Sequence, residues 1–158
     1  MSTFDFEDCF NRLIGHEGGY VNNSSDPGGE TKFGVSKRTY PDLDIKNLSI
    51  EQAKAIYKRD YWDRAKCDML PPIVAFQVFD TAVNSGIGQS IRFLQRAAGV
   101  ADDGQVGPMT LTAINRLDPE QLAARFNGHR LEFITKLSTW DVFGKGWARR
   151  IAKNLVEL

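Results

Sequence analysis

One turn-rich segment interrupts a chain whose apolar residues otherwise recur at helical spacing. Residues 22–29 read Asn-Asn-Ser-Ser-Asp-Pro-Gly-Gly, a composition typical of turns. Short β-like pieces at residues 20–21 and 32–35 flank this segment. Elsewhere apolar residues recur every three or four positions, as they do on the buried face of an amphipathic helix. These patterns predict a mainly α domain with a small β-hairpin or loop after the first helix.

The first predicted helix ends in a carboxylate. Phe6, Phe10 and Leu13 are spaced by four and three positions and so lie on one face, with Cys9 alongside them. The two glycines that follow Glu17 favour termination of a helix. We therefore expect Glu17 at the helix end, where the chain turns away, and Cys9 as a buried free thiol.

The later helices have clear start and stop signals. Ser49 and Gln52 form a capping-box pattern, and Pro108 suits the first turn of a helix. The strongly apolar segment after Pro71-Pro72 is expected at the centre of the core. The predicted helices cover residues 6–17, 50–65, 73–85, 89–98, 108–116, 119–137 and 147–155, with a break at 140–146.

The charge balance argues against nucleic acid as a partner. The 158 residues contain 20 Lys plus Arg and 20 Asp plus Glu, so the formal net charge is zero. Near the end, however, four cations lie close together: Lys145, Arg149, Arg150 and Lys153. This basic cluster is either a solvated helix face or a patch for an anionic polymer.

The N-terminal residues lack the basic region and the long apolar run of a signal peptide or anchor. We expect a protein made in the cytoplasm that does not insert stably into a membrane. The two histidines and two cysteines are too few for a zinc amidase, and Cys9 with His16 is a poor pair for a cysteine peptidase. No metal or cofactor is expected.

Two carboxylates and a hydroxyl fall within fifteen positions of each other. Glycoside hydrolysis needs an acid that protonates the leaving oxygen, and usually a second carboxylate. Glu17 is the candidate acid, and a hairpin in the turn-rich segment could bring Asp26 over it. Thr31 could position a water or hold Asp26. Glu30 is the alternative second carboxylate, and whether configuration is inverted or retained stays open.

The same residues carry a family resemblance. Residues 16–21, with Glu-Gly-Gly-Tyr at 17–20, and residues 26–35 resemble the start of the glycoside hydrolase family 108 muramidases, which occur mainly in phages and prophages. In that family the glutamate of this motif is catalytic, which implies the role for Glu17. The order Glu, Asp, Thr also resembles the triad of phage-type lysozymes, although the Asp26-to-Thr31 spacing is one residue shorter than usual.

The resemblance extends along the chain. Residues 80–86 resemble the family's central helix, where Asn84 would contact substrate, and residues 143–150 resemble its closing segment. Residues 94–111 are similar to peptidoglycan-binding helical modules. The resemblance implies a lysozyme-like catalytic lobe of residues 1–88 and a second helical lobe of residues 89–158, packed into one domain.

Two aromatic residues are further candidates for substrate contact. Tyr20 follows Glu17 in the turn, and Trp62 lies in the second predicted helix. Aromatic rings stack on sugars, but aromatics at helical spacing are more often core residues. Both roles stay open for Trp62, and Tyr20 is the better ligand candidate.

The resemblance also implies a function. It suggests a monomeric endolysin that hydrolyses the β-1,4 bond between N-acetylmuramic acid and N-acetylglucosamine of peptidoglycan. Without a signal peptide, such an enzyme stays in the host cytoplasm until a separate holin releases it to the cell wall. The alternatives are a lytic transglycosylase, which forms 1,6-anhydro products, and a non-catalytic cell-wall-binding module. A toxin delivered into rival cells would have the same sequence features.

Overall fold

The computed structural model describes residues 5–14, 19–22 and 29–158. Within these residues the chain is mainly helical, with a small sheet directly after the first helix, as predicted. The elements in chain order are α1 (Phe6–Ile14), β1 (Val21–Asn22), β2 (Glu30–Lys32), β3 (Val35–Ser36), α2 (Ile50–Tyr57), α3 (Pro72–Ser85), α4 (Ile87–Ala98), α5 (Pro108–Asn115), α6 (Pro119–Ile134) and α7 (Trp140–Val156).

The three strands form an antiparallel sheet in the order β1-β2-β3. Val21 pairs with Thr31, and Lys32 pairs with Val35. The prediction of one β piece over residues 32–35 was wrong, because Phe33 and Gly34 form the turn between β2 and β3. Their φ angles of 51° and 77° are both positive, as in the tight two-residue turns that suit the twist of a hairpin.

Helix α3 is the centre of the core, as its apolar sequence predicted. Its residues 74–82 are all buried, and it packs against α4 and α6. Helix α1 contributes Phe10, Leu13 and Cys9, which is a buried free thiol as expected. The buried hydrophobic cluster is continuous from α1 through α4 to Phe126 of α6, so residues on both sides of position 88 share one core.

The capping box of Ser49 and Gln52 is confirmed, and it starts α2. The α-helix ends at Tyr57, earlier than predicted, and continues as a five-residue π-helical segment, Lys58–Trp62. The amide of Asp63 donates to the carbonyl of Lys58 at 2.8 Å, the five-residue interval that defines this geometry. The wider turn ends the α-helical spacing that the sequence pattern had suggested up to residue 65.

The predicted break at residues 140–146 was wrong, because α7 begins at Trp140 and runs through this stretch. Gly144 and Gly146 both lie inside the helix. At Gly144 a β-carbon would overlap the indole of Trp140, so this glycine allows the ring to lie across the helix. Helix α6 correspondingly ends at Ile134 rather than at 137. Among the described helices, none is both long and apolar enough to span a bilayer.

Candidate active site

The predicted site residues fall into two groups. Glu17 and Asp26 lie outside the described residues. Thr31, Tyr20 and Asn84 are described, and so is the alternative carboxylate, Glu30. The described parts of the site are therefore the three-stranded sheet and the end of α3.

Tyr20 and Glu30 contact each other across the sheet. The Tyr20 hydroxyl donates to Glu30 Oε2 at 3.0 Å. Partial desolvation and this hydrogen bond to a carboxylate raise the pKa of Tyr20. Successive side chains of a strand point to opposite faces, so Glu30 and Thr31 of β2 do not point the same way.

The sheet is anchored to the helical core at its hairpin turn. The hydroxyl of Tyr57, a buried residue of α2, donates to the carbonyl of Phe33 at 2.5 Å. Val35 of β3 is only 2% exposed and belongs to the core cluster. On the outer side, Lys32 Nζ donates to the carbonyl of Lys46 at 3.1 Å. These contacts fix β2 and β3, and with them the position of Thr31, relative to the helices.

Trp62 lies in the core. Its side chain is 2% exposed, and its ring contacts those of Phe6 and Phe79 with centroids 5.5 and 5.4 Å apart. The indole Nε1 donates to Asp68 Oδ1 at 2.8 Å, which satisfies its polar group. A ring enclosed in this way offers no face to a sugar, so of the two roles left open for Trp62 the structure supports the core role.

A buried ionic cluster was missed by the sequence reasoning. Asp80 of α3 is completely buried and accepts hydrogen bonds from three side chains of α6 and α7. The distances to Asp80 oxygens are 2.8 Å from Arg130 Nη1, 2.7 Å from Arg150 Nη2 and 2.9 Å from Asn154 Nδ2. One signal was available, since an acid within an apolar helix must find partners if it is buried. Which cations would reach it was not visible in the sequence.

The cluster keeps Asp80 ionised. Burial by itself raises the pKa of this carboxyl, but the Arg130 and Arg150 guanidiniums and their hydrogen bonds outweigh it and lower the pKa from 3.8 to about 2. Burial also lowers the pKa of Arg130, which stays protonated because guanidinium groups do so at any physiological pH. Two cations facing one anion leave this end of α3 with a positive excess.

Asn84 is exposed one helical turn after Asp80. Its Oδ1 lies 3.4 Å from Arg130 Nη2, so the ionic cluster reaches the surface at this residue. Asn84 also lines a surface pocket together with residues of α7. Among the described residues there is no group of three or more His, Cys, Asp or Glu side chains that could hold a metal ion. The chemistry of the described residues is that of carboxylates, hydroxyls and guanidiniums.

Comparisons with known proteins divide the chain into two matched segments. The family described as glycosyl hydrolase 108 matches residues 10–86. The family described as a predicted peptidoglycan domain matches residues 89–152. A comparison with curated protein sequences gives no significant match.

A solved structure resembles the whole chain. It is that of SagA from Brucella abortus, which is 30% identical to this chain. The match covers 96% of this chain and 92% of SagA, with a TM-score of 0.89.

The fold is therefore the lysozyme-like fold that the resemblance implied, and the protein is a cell-wall-degrading glycoside hydrolase. The chain belongs to the glycosyl hydrolase 108 family. Peptidoglycan is its partner, in agreement with the second matched segment.

Proposed function

We propose that the protein is a muramidase that hydrolyses the β-1,4 bond between N-acetylmuramic acid and N-acetylglucosamine of peptidoglycan. The observation that carries this proposal is the family match over residues 10–86, which includes the Glu-Gly-Gly-Tyr motif at 17–20. The similarity to a solved structure over nearly the whole chain supports it, because the elements that flank the motif are retained in order.

In the proposed mechanism Glu17 protonates the glycosidic oxygen as the bond breaks. Asp26 activates a water or stabilises the positive charge that develops on the sugar ring. Thr31 holds that water or orients Asp26. Because the Glu30 carboxylate already accepts a hydrogen bond from the Tyr20 hydroxyl, Asp26 is the better candidate for the second carboxylate.

The remaining sequence predictions complete the proposal. Tyr20 and Asn84 contact the sugar chain, and residues 1–88 carry the cleavage, while residues 89–158 either bind the wall or only complete the fold. The biological role is that of an endolysin, which acts as a monomer on the cell wall of the host after a holin has opened the inner membrane.

The products formed from purified peptidoglycan test the bond that is cut. A muramidase leaves N-acetylmuramic acid at the new reducing end, which mass spectrometry detects after borohydride reduction. Products lighter by one water, with a 1,6-anhydro ring, would instead identify a lytic transglycosylase. Sedimentation with the wall without release of soluble sugar would identify a binding module.

Substitution of the proposed acid tests the mechanism. We expect Glu17→Gln to fold normally and to lower the rate of wall cleavage by about 10²- to 10⁴-fold, the usual contribution of a general acid. Asp26→Asn should cause a large but incomplete loss, whereas Glu30→Gln should leave most of the activity. A greater loss in Glu30→Gln than in Asp26→Asn would reverse the assignment of the second carboxylate.

A further inference from the structure

The surface pocket beside Asn84 is lined by cations. Its volume is about 460 Å³, within the range of small-ligand sites. None of the described residues that line it is acidic. Its described lining consists of Asn84, Gly146, Trp147, Arg149, Arg150 and Lys153.

Two of these cations are available to a ligand. Arg149 and Lys153 are both exposed and lie one turn apart on α7. Within the described part of the chain, neither of them forms an ion pair. Arg150 is held behind them by Asp80. In the pocket, Arg150 is thus held in place by Asp80, and Arg149 and Lys153 can pair with an anion.

Gly146 leaves one position of the pocket lining without a side chain. A glycine inside a helix lowers helix stability relative to alanine, so its presence needs a reason. At Gly144 the reason is the Trp140 ring. At Gly146 no described atom outside its neighbours and its own helix backbone lies within 4 Å of the place a β-carbon would take. Its helical backbone is one that any residue adopts. Gly146 lines the pocket, so a large side chain at this position would lie at the pocket wall.

An aromatic pair lies at the edge of the pocket. Trp147 is half-buried, and Phe143, one turn earlier on the same face of α7, is 54% exposed. Their ring centroids are 5.7 Å apart. Exposed aromatic rings beside cations and an amide are suited to a ligand that has both apolar sugar faces and acidic groups.

We propose that this pocket binds the peptide-bearing part of a peptidoglycan strand, with stem-peptide carboxylates paired to Arg149 and Lys153 and the adjoining sugar packed on Trp147. The proposal rests on the proposed function, because it takes peptidoglycan to be the substrate. Asn84 lies in the first matched segment and the other lining residues lie in the second. The pocket thus makes the contact between the two segments part of the substrate site.

Filling the pocket is the first test, and the chain offers a matched control. Gly128 of α6 is also a helical glycine with open space around its β-carbon position, and it does not line this pocket. Both Gly146→Leu and Gly128→Leu are made in the full-length Glu17→Gln protein, so that the wall is not degraded during the measurement. Binding to purified sacculi is measured by co-sedimentation. We expect Gly146→Leu to weaken binding by about tenfold and Gly128→Leu to change it by less than about twofold.

Removing charge is the second test. The double variant Arg149→Gln/Lys153→Gln is compared with Arg125→Gln/Lys136→Gln, an equal change at exposed cations outside the pocket. We expect only the first to lose about five- to tenfold in affinity at low salt, and the difference to shrink as salt screens the charges. On sacculi whose carboxyl groups have been amidated with carbodiimide, the two variants should bind alike. Sacculi free of teichoic acid exclude phosphate as the anion.

The outcomes separate this proposal from the proposed function. Equal binding by Gly146→Leu and Gly128→Leu, with unchanged thermal stability, would overturn the pocket assignment even if the wild type cleaves the wall. A difference between the two double variants that persists on amidated sacculi would overturn the assignment of stem-peptide carboxylates as the anion. Failure of the wild type to release soluble sugar would count against the muramidase, while the binding contrasts could still be measured.

Discussion

In α3, Asp80 is completely buried and bound by three side chains, whereas in the small sheet Glu30 is half-exposed and its described hydrogen-bond partner is Tyr20. Both residues are acids in the segment that matches the hydrolase family. The first fixes how three helices meet, because a buried charge is tolerated only with its partners in place. The second can change its contacts at little cost, because a half-exposed carboxylate is also hydrated.

The largest effect should come from breaking the buried cluster. Asp80→Asn removes the anion and leaves Arg130 buried without its counterion, so we expect a loss of about 3–5 kcal/mol in the free energy of unfolding. Urea denaturation followed by circular dichroism measures it. Asp102→Asn, which breaks the exposed pair with Arg96, is the matched control and should leave the unfolding midpoint almost unchanged.

The second-largest effect should come from acid, which lowers the stability contributed by the Asp80 cluster. Because the folded state lowers the pKa of Asp80 from 3.8 to about 2, the unfolded carboxyl takes up a proton first as the pH falls. The stabilisation by ionised Asp80 is fully present above pH 3.8 and is lost as the pH falls toward about 2. The free energy of unfolding should decrease by an amount on the order of 2 kcal/mol over this range. The stability difference between wild type and Asp80→Asn should therefore narrow over this range. A stability difference between wild type and Asp80→Asn that stays constant over this pH range would contradict the conclusion that Asp80 is ionised in the fold.

A smaller effect is expected where the sheet joins the helices. Tyr57→Phe removes the hydroxyl that donates to the Phe33 carbonyl, so we expect a loss of about 1–2 kcal/mol in stability. Because this contact holds the turn between β2 and β3, wall cleavage should fall more than in an equally destabilised variant such as Ile114→Val in α5. Equal cleavage rates in the two variants would show that the anchor has only a structural role.

The smallest effect should come from the sheet surface. Tyr20→Phe removes the hydrogen bond to Glu30 at an exposed site, and thermal denaturation should show almost no change. If Tyr20 contacts the sugar through its ring, the rate on sacculi should also change little, whereas Tyr20→Ala should reduce it severalfold. Rates equal to that of the wild type in both variants would assign the role to neither the ring nor the hydroxyl.

Local patterns predicted most of the helical fold. The capping box at Ser49, the proline at the start of α5 and the apolar run of α3 were readable, because the signals lie within a few residues of the structure they specify. The break at 140–146 was mispredicted, because Gly144 lies inside the helix under the ring of Trp140. The strand at 32–35 was mispredicted, because Phe33 has an unusual positive φ.

The candidate site was less predictable from the sequence than the helices. Glu17, Asp26 and Thr31 came from motif and resemblance, and Glu17 and Asp26 lie outside the described residues. The partners of Asp80 come from residues 50 to 74 positions later in the chain. No local pattern contains such a pairing. The basic cluster could therefore be recognised in the sequence, but not that Arg150 binds Asp80 while Arg149 and Lys153 are exposed.

These separations bear on how the protein is made. On the ribosome α3 is synthesised before α6 and α7, so the Asp80 carboxylate initially has none of the partners that hold it in the finished fold. Until α6 and α7 have emerged, burial of α3 would leave the Asp80 charge without a counterion, which favours a solvent-exposed and incompletely packed helix. The final packing of α3 therefore requires that α7 has already been translated.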